Sequence, residues 1–142
     1  MKRGLKMSSN DISNTFAKWN KGVLNSYLIE ITRYVVNFCD DGAPIIDRIL
    51  DQAGQKGTGK WTATNALELG VPVTLIAEAV LARSLSGLKE ERTEASTKLK
   101  FTSRLNAFDG DVEHFLVELE QALYASKIIS YTQGFMLMQE VS

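Results

Sequence analysis

The chain has 142 residues, 44% of them hydrophobic and 23% charged, and its 16 basic and 17 acidic side chains give a formal net charge of -1. These values are those of one ordinary globular domain, and they give no case for a nucleic-acid-binding surface. The longest apolar stretch, VPVTLIAEAVLA, contains Glu78 and is shorter than the roughly 20 residues of a membrane span, so a membrane is not an expected partner either.

The first residues, MKRGLKMSSND, are basic but have no apolar run behind them, so they are not a secretory signal. Cys39 is the single cysteine and cannot form an intramolecular disulfide, which favours a reducing compartment. We expect its thiol to be packed. A soluble, cytoplasmic chain is the expected class.

Helical periodicity dominates, and no alternation of apolar and polar residues predicts a strand. Ser9 or Asn10 is the expected cap of a first helix through DISNTFAKWN. A continuous apolar stripe from Val23 to about Phe38 predicts a second, amphipathic helix. The DDGA segment that follows predicts a turn, and Pro44 suits the first position of a short helix, PIIDRILDQA, because its missing N–H has no partner there.

The next helix is expected to start near Thr58 or Gly59 and to end at Gly70 as its C-terminal cap. Pro72 then opens a further helical segment, VTLIAEAVLARSLSGLKEERTEASTKLK. Residues 100–110 break the pattern and are predicted to be a connection. A last helix is predicted from Val112 to the chain end, so the fold class is all-α, with one helical region over 1–142.

The segment GQKGTGKW, residues 54–61, is the main functional signal and nearly matches the nucleotide phosphate loop G-x-x-x-x-G-K-[ST]. That loop needs a strand before it and a hydroxyl after the lysine, whereas here the preceding residues are helix-like and Trp61 takes the hydroxyl position. What remains is a possible anion site, made by glycines, a helix start, Lys56 and Lys60. The alternative is a flexible turn with a helix cap and two solvated lysines.

Longer motifs extend outward from this loop. AGQKGTGKWTATNALELGVPVTLIAEAVLARSLSGLKEER, with WNKGVLNSYLIEIT before it and ALYASKIISYTQGF after it, resembles the C-terminal helical domain of the decarboxylating 6-phosphogluconate dehydrogenases. The resemblance runs from about Gly4 to the end. It implies a helical-bundle fragment of that domain, truncated at both ends and without its Rossmann domain.

The resemblance also implies a function. The family is a cytosolic, homodimeric oxidoreductase of the pentose phosphate pathway that uses NADP to convert 6-phosphogluconate to ribulose 5-phosphate. The lysine of its K-G-T-G-K-W motif that binds the substrate phosphate falls on Lys56, and the threonine that lines the same phosphate falls on Thr58. The arginine of its A-R-x-x-S-x-x-K motif, another phosphate ligand, falls on Arg83. Lys60 matches the motif but is assigned no ligand role.

The chain departs from the full family pattern. It contains no G-x-G-x-x-G dinucleotide fingerprint and not the part of the long helix that supplies the family's general-base lysine and acid glutamate. We therefore expect no catalytic, cofactor-binding or metal-binding residues in this chain and no turnover by the chain alone. The alternative is a non-catalytic helical interaction module that pairs with full-length subunits.

Four bulky side chains and the single histidine have simpler expected roles. Trp19, Trp61, Met136 and Met138 are expected to pack, and His114 is expected to lie on a solvated helix surface.

Overall fold

The computed structural model of the chain describes residues 1–99 and 108–142, and helices dominate it. Two strands of two residues and one 3₁₀ turn lie between the second and third helices. The elements in chain order are α1 (Ser9–Trp19), α2 (Tyr27–Asn37), β1 (Cys39–Asp40), β2 (Ala43–Pro44), the 3₁₀ turn Ile45–Asp47, α3 (Thr58–Glu68), α4 (Thr74–Gly87), α5 (Lys89–Lys98) and α6 (Val112–Val141). The helical fold class predicted from the sequence is confirmed.

The chain divides into two compact units. The first holds Met1–Leu50 and residues 108–124, and the second holds residues 51–99 and Ala125–Ser142. The expectation of a single helical region over 1–142 stays a prediction. Within the described residues, none of the helices combines the length and the apolar character that crossing a membrane requires.

The first unit is built around α1 and α2. Ser8, and not the predicted Ser9 or Asn10, caps α1: its hydroxyl accepts a bond from Asp11 N at 3.1 Å, while the Asp11 carboxylate accepts one from Ser8 N at 3.3 Å. This reciprocal pair is a capping box with Asp in place of Glu or Gln. Buried Ser13 ties the two helices together by donating to Arg33 O at 3.0 Å.

The second helix starts later than the apolar stripe predicts. It begins at Tyr27 because the Ser26 hydroxyl accepts a bond from Ile29 N at 3.2 Å and so caps the helix there. Leu24, which continues the stripe, lies before this cap and is nevertheless buried, with 2% of its surface exposed. Periodicity therefore identified a core residue correctly and placed it in the wrong element.

The predicted helix through PIIDRILDQA is wrong apart from the 3₁₀ turn. Asp41 and Gly42 have φ angles of 50° and 76°, the left-handed pair that a tight hairpin turn requires, so the predicted turn is confirmed and joins β1 to β2. Pro44 is extended, with ψ at 126°, and directly precedes the 3₁₀ turn, so it is not at the first helical position predicted for it. Ile45 N continues the pairing by donating to Phe38 O at 2.9 Å.

In the second unit, α3 starts and ends as predicted. Gly70, with φ at 69°, follows the last helical residues, its N–H donates to Leu67 O, and Val71 N donates to Ala66 O at 2.8 Å. These two bonds form a Schellman motif, which satisfies carbonyls that the end of the helix leaves free.

The long helix predicted after Pro72 is interrupted at Leu88, which separates α4 from α5. Two of the carbonyls near the end of α4 are taken by side chains, Ser86 O by Arg92 at 3.0 Å and Gly87 O by Gln52 at 3.0 Å. These side-chain bonds replace helical ones, and periodicity alone does not register them.

The last helix, α6, runs from Val112 to Val141 as predicted. Asp111 caps it, since its carboxylate accepts bonds from Glu113 N at 2.9 Å and His114 N at 3.2 Å. Of the connection predicted at 100–110, residues 100–107 lie outside the described residues, and 108–110 are not helical.

The side-chain expectations have mixed outcomes. Trp19 is buried and His114 lies on the surface, as predicted. Trp61 is 65% exposed, because its ring lies over the glycine at position 57 and not in a core. The Cys39 thiol is also exposed, since it sits in the short hairpin. Met136 and Met138 are exposed too, with 41% and 57% of their surfaces accessible, so the expectation that these methionines, Trp61 and Cys39 are packed is wrong.

Candidate functional site

The glycine loop meets the N-terminus of α3 at Gly57. This residue has φ at 113° and ψ at −42°, a backbone conformation that residues other than glycine rarely adopt. Its carbonyl accepts the first helical hydrogen bond, from Trp61 N at 2.9 Å. The N–H groups of Thr58, Gly59 and Lys60 therefore precede the first intrahelical bond and carry the partial positive charge of a helix start.

A close approach of α3 to α4 forms the floor of the site. A Cβ placed on Gly59 would lie 3.0 Å from a methyl carbon of Val80, tighter than ordinary side-chain contacts. Glycine at this position lets the first turn of α3 reach the side of α4. The helix start and the α4 side chains consequently face one shared space.

The segment Asp51–Gln55 that leads into the loop is fastened along α4 and the start of α5. Every described hydrogen bond that fastens it involves at least one side chain. Among these bonds are Lys89 Nζ to Asp51 Oδ1, Arg92 Nη2 to Asp51 O at 2.7 Å, Gln52 Nε2 to Gly87 O at 3.0 Å, Ala53 N to Ser86 Oγ at 3.1 Å, Arg83 Nε to Gly54 O at 3.0 Å, and Gln55 Nε2 to Ser84 Oγ at 2.5 Å.

The far end of this segment is an ion-pair cluster. Hydrogen bonds from Lys89 and then from Arg92 lower the pKa of the Asp51 carboxyl from its usual value of 3.8. Stability contributed by the cluster is therefore fully present above that value and is lost only as the pH falls through the lowered pKa. The segment stays anchored at any neutral pH.

Arg83 acts as a brace for the loop backbone. Its Nε and Nη2 atoms both donate to the Gly54 carbonyl, the Nε bond at 3.0 Å. A guanidinium has five N–H donors in a planar fork, so this contact fixes its orientation and leaves three donors for another acceptor.

These elements surround one pocket of about 490 Å³ in the second unit. The three residues predicted for the substrate phosphate, Lys56, Thr58 and Arg83, all line it, and Lys60 lines it too. Three cationic side chains and no carboxylate are among the lining residues, which are Gln55, Lys56, Gly57, Thr58, Gly59, Lys60, Ile76, Ala79, Val80 and Arg83. The pocket is thus electropositive and suited to an anion.

The geometry does not favour a nucleotide loop. Among the described residues no strand leads into Gly54, and Trp61 occupies the position of the magnesium-binding hydroxyl. The next residue, Thr62, does carry a hydroxyl, but this hydroxyl donates to Thr58 O at 2.9 Å within the helix. Within residues 1–99 and 108–142, no group of three or more His, Cys, Asp and Glu side chains is arranged so that it could hold a metal ion.

Sequence reasoning missed the side chains that hold the loop in place. Gln55, Ser84 and Asp51 have no motif of their own in the sequence, and their partners lie 29 to 41 residues away in the chain. Of the side chains that hold the loop, only Arg83, Ser86 and Lys89 coincide with the A-R-x-x-S-x-x-K pattern, and the pattern assigned Arg83 to the ligand and not to the loop.

The described part of the second unit is thus a helical unit whose electropositive pocket, at a helix start, is suited to an anion. Its family follows from comparison with known proteins: residues 1–142 match the family model "6-phosphogluconate dehydrogenase, C-terminal domain". The chain belongs to the 6-phosphogluconate dehydrogenase family, as the sequence motifs predicted.

Individual relatives agree with this family. The chain is 61% identical to the decarboxylating 6-phosphogluconate dehydrogenase of Schizosaccharomyces pombe and 55% identical to that of Homo sapiens, over 100% of its own length and 29% of theirs. A solved 6-phosphogluconate dehydrogenase of Plasmodium falciparum, studied in its apo form, with its cofactor NADP⁺ and with its substrate 6-phosphogluconate, is 44% identical, with a TM-score of 0.91. It is matched over 100% of this chain and 31% of its own. The chain thus spans under a third of these relatives.

Gly57 offers a test of the loop geometry. Gly57→Ala forces a Cβ into the conformation with φ at 113°, so the chain is expected to lose about 1–3 kcal/mol of unfolding free energy. Gly54→Ala is the matched control: a Cβ there meets no atom within 4 Å, and the change is expected to be neutral or to stabilise by about 0.4–1 kcal/mol. Urea denaturation measures both. Equal midpoints for the two variants would contradict the conformation assigned to Gly57.

Proposed function

We propose that this chain supplies the substrate-phosphate pocket of a 6-phosphogluconate dehydrogenase, an oxidoreductase that converts 6-phosphogluconate to ribulose 5-phosphate with NADP. One observation carries the proposal: the side chains of Lys56, Thr58 and Arg83, separated by up to 27 positions in the sequence, line a single electropositive pocket. Membership of the family supports the identity of the ligand.

Each residue has a distinct part in holding a phosphate dianion. Lys56, which lines the pocket, offers its ammonium as a point charge. Arg83 presents a planar fork that its bond to Gly54 has already oriented. Thr58 adds a hydroxyl and stands at the helix start, whose free N–H groups favour an anion. Together they bind and orient the non-reacting end of the sugar acid.

Catalysis itself is not assigned to this chain. NADP would accept the hydride, and no residue of the chain is proposed to bind it or to move the proton at the reacting carbon. The chain alone is therefore expected not to turn over, because hydride transfer requires a held nicotinamide. We also infer a cytoplasmic enzyme, a homodimer, and a place for these 142 residues as one helical region of the larger domain.

The test is a direct assay. A full-length polypeptide that carries this segment is expected to form NADPH when 6-phosphogluconate and NADP are supplied, and to release CO₂ in equal amount. NADPH formation without a requirement for the phosphorylated substrate, or no NADPH at all, would refute the proposed function.

A second candidate is a helical interaction module that pairs with full-length subunits. Its support is a run of exposed apolar side chains in the second unit's part of α6: Ile128, Ile129, Tyr131, Phe135, Met136, Met138 and Val141. Co-expression of the 142-residue chain with a full-length subunit distinguishes it, since a mixed oligomer on size-exclusion chromatography supports the module and separate elution refutes it.

A further inference from the structure

The residue immediately before Lys56 is tied to α4 by its side chain. Gln55 Nε2 donates to Val80 O at 3.2 Å and to Ser84 Oγ at 2.5 Å, and Ser84 Oγ in turn lies 3.2 Å from Val80 O. The amide, the hydroxyl and the helix carbonyl thus form a small closed cluster on the side of α4. It is the last fastening before the loop turns into α3.

This arrangement separates Gln55 from the ligand-binding groups. A carboxamide has two N–H donors, and both are committed to α4. The remaining carboxamide oxygen is only an acceptor, which a phosphate dianion cannot use. Gln55 lines the pocket but cannot donate to an anion in this geometry.

We propose, resting on the proposed function above, that Gln55 is a positioning residue for Lys56. Its amide holds the loop backbone against α4, so that Lys56 stays in the pocket that Arg83 also lines before the substrate arrives. The Ser84 hydroxyl accepts one of the two bonds from the Gln55 amide and so fixes the position of that amide on α4. Affinity is gained because the ordering of the loop takes place on folding and not on binding.

The test compares variants of a full-length enzyme that carries this segment. Gln55→Leu and Ser84→Ala are each expected to raise the KM for 6-phosphogluconate about fivefold to tenfold and to leave kcat and the KM for NADP within about twofold. The KM of the double variant should be no higher than that of Gln55→Leu, because the loss of Gln55 already removes the bond that Ser84 accepts from it. Ser84→Thr keeps the hydroxyl and should restore the KM.

Gln52→Leu is the matched control. Gln52 Nε2 makes the same kind of bond, to Gly87 O at 3.0 Å, but it lies further from Lys56 in the same segment. Its loss is expected to change the KM for 6-phosphogluconate by less than about twofold. If Gln52→Leu raised the KM as much as Gln55→Leu, the effect would reflect general loosening and the positioning role would be overturned.

Lys56→Ala, measured in parallel, separates the two levels of the argument. A raised KM for Lys56→Ala with an unchanged KM for Gln55→Leu would overturn the positioning role and leave the phosphate pocket standing. An unchanged KM for Lys56→Ala would refute the pocket assignment, and the positioning role with it.

Discussion

Lys56→Ala in a full-length enzyme carrying this segment is expected to raise the KM for 6-phosphogluconate about 10- to 100-fold. The lysine lines the pocket, and a hydrogen bond to a charged group contributes about 1.5–3 kcal/mol, with 1.4 kcal/mol for each factor of ten. The KM for NADP should be nearly unchanged. Initial rates with each substrate varied in turn measure both constants.

Lys60→Ala is the control that makes this result specific. Lys60 lines the same pocket, and its replacement by alanine removes the same charge as Lys56→Ala. Lys60, however, is the lysine that a nucleotide phosphate loop would use. We expect it to raise the KM for 6-phosphogluconate by less than about threefold. If Lys56→Ala weakened NADP and 6-phosphogluconate equally, the assignment of this loop to the substrate phosphate would be wrong, and a larger effect at Lys60 would move the ligand role to that residue.

Local signals in the sequence were read correctly where they determine structure on their own. The Asp41-Gly42 turn, the start of α3 and the cap at Gly70 all depend on residues within a few positions of one another. A left-handed glycine or a helix cap has much the same consequence in any fold, so its position can be predicted from one sequence.

Predictions failed where distant side chains decide the backbone path. The segment after Pro44 has helical periodicity, but Asp51 and Gln52 are held by residues of α4 and α5, more than 30 positions away. One of these contacts, from Gln52 Nε2 to the Gly87 carbonyl, takes a carbonyl at the end of α4 and coincides with the break at Leu88. Periodicity describes an apolar face and contains no information about such partners.

The candidate site contains both kinds of feature: residues that a sequence motif identifies, and contacts between residues far apart in the chain that it does not. The family motifs predict that Lys56, Thr58 and Arg83 are phosphate ligands. Without those motifs, the residue types of the loop are compatible both with a flexible turn and with an anion site. That Arg83 also braces Gly54 O, and that Gln55 is fastened to Ser84, follows only from the folded arrangement. Motifs name the groups that touch a ligand more readily than the groups that hold them in place.

Gln133 is a buried polar side chain that caps α4 from α6, and its loss is expected to have the largest effect on stability. Its Oε1 accepts bonds from Leu75 N at 3.1 Å and Ile76 N at 3.3 Å, and its Nε2 donates to Thr74 Oγ1 at 3.1 Å. The residue before the helix, Val73, has no side-chain cap to offer. Gln133 therefore supplies from a distant helix what a Ser or Asp usually supplies locally.

Gln133→Leu in this chain is expected to lower the unfolding free energy by about 2–4 kcal/mol, because it leaves two N–H groups of the first turn of α4 without their partner. Gln121→Leu, the same change at an exposed position of α6, is expected to stay within about 0.5 kcal/mol. Urea denaturation at neutral pH measures both. Since α4 carries Val80 and Arg83, Gln133→Leu should also weaken phosphate binding in a full-length enzyme, and similar losses of stability for the two variants would contradict the capping role of Gln133.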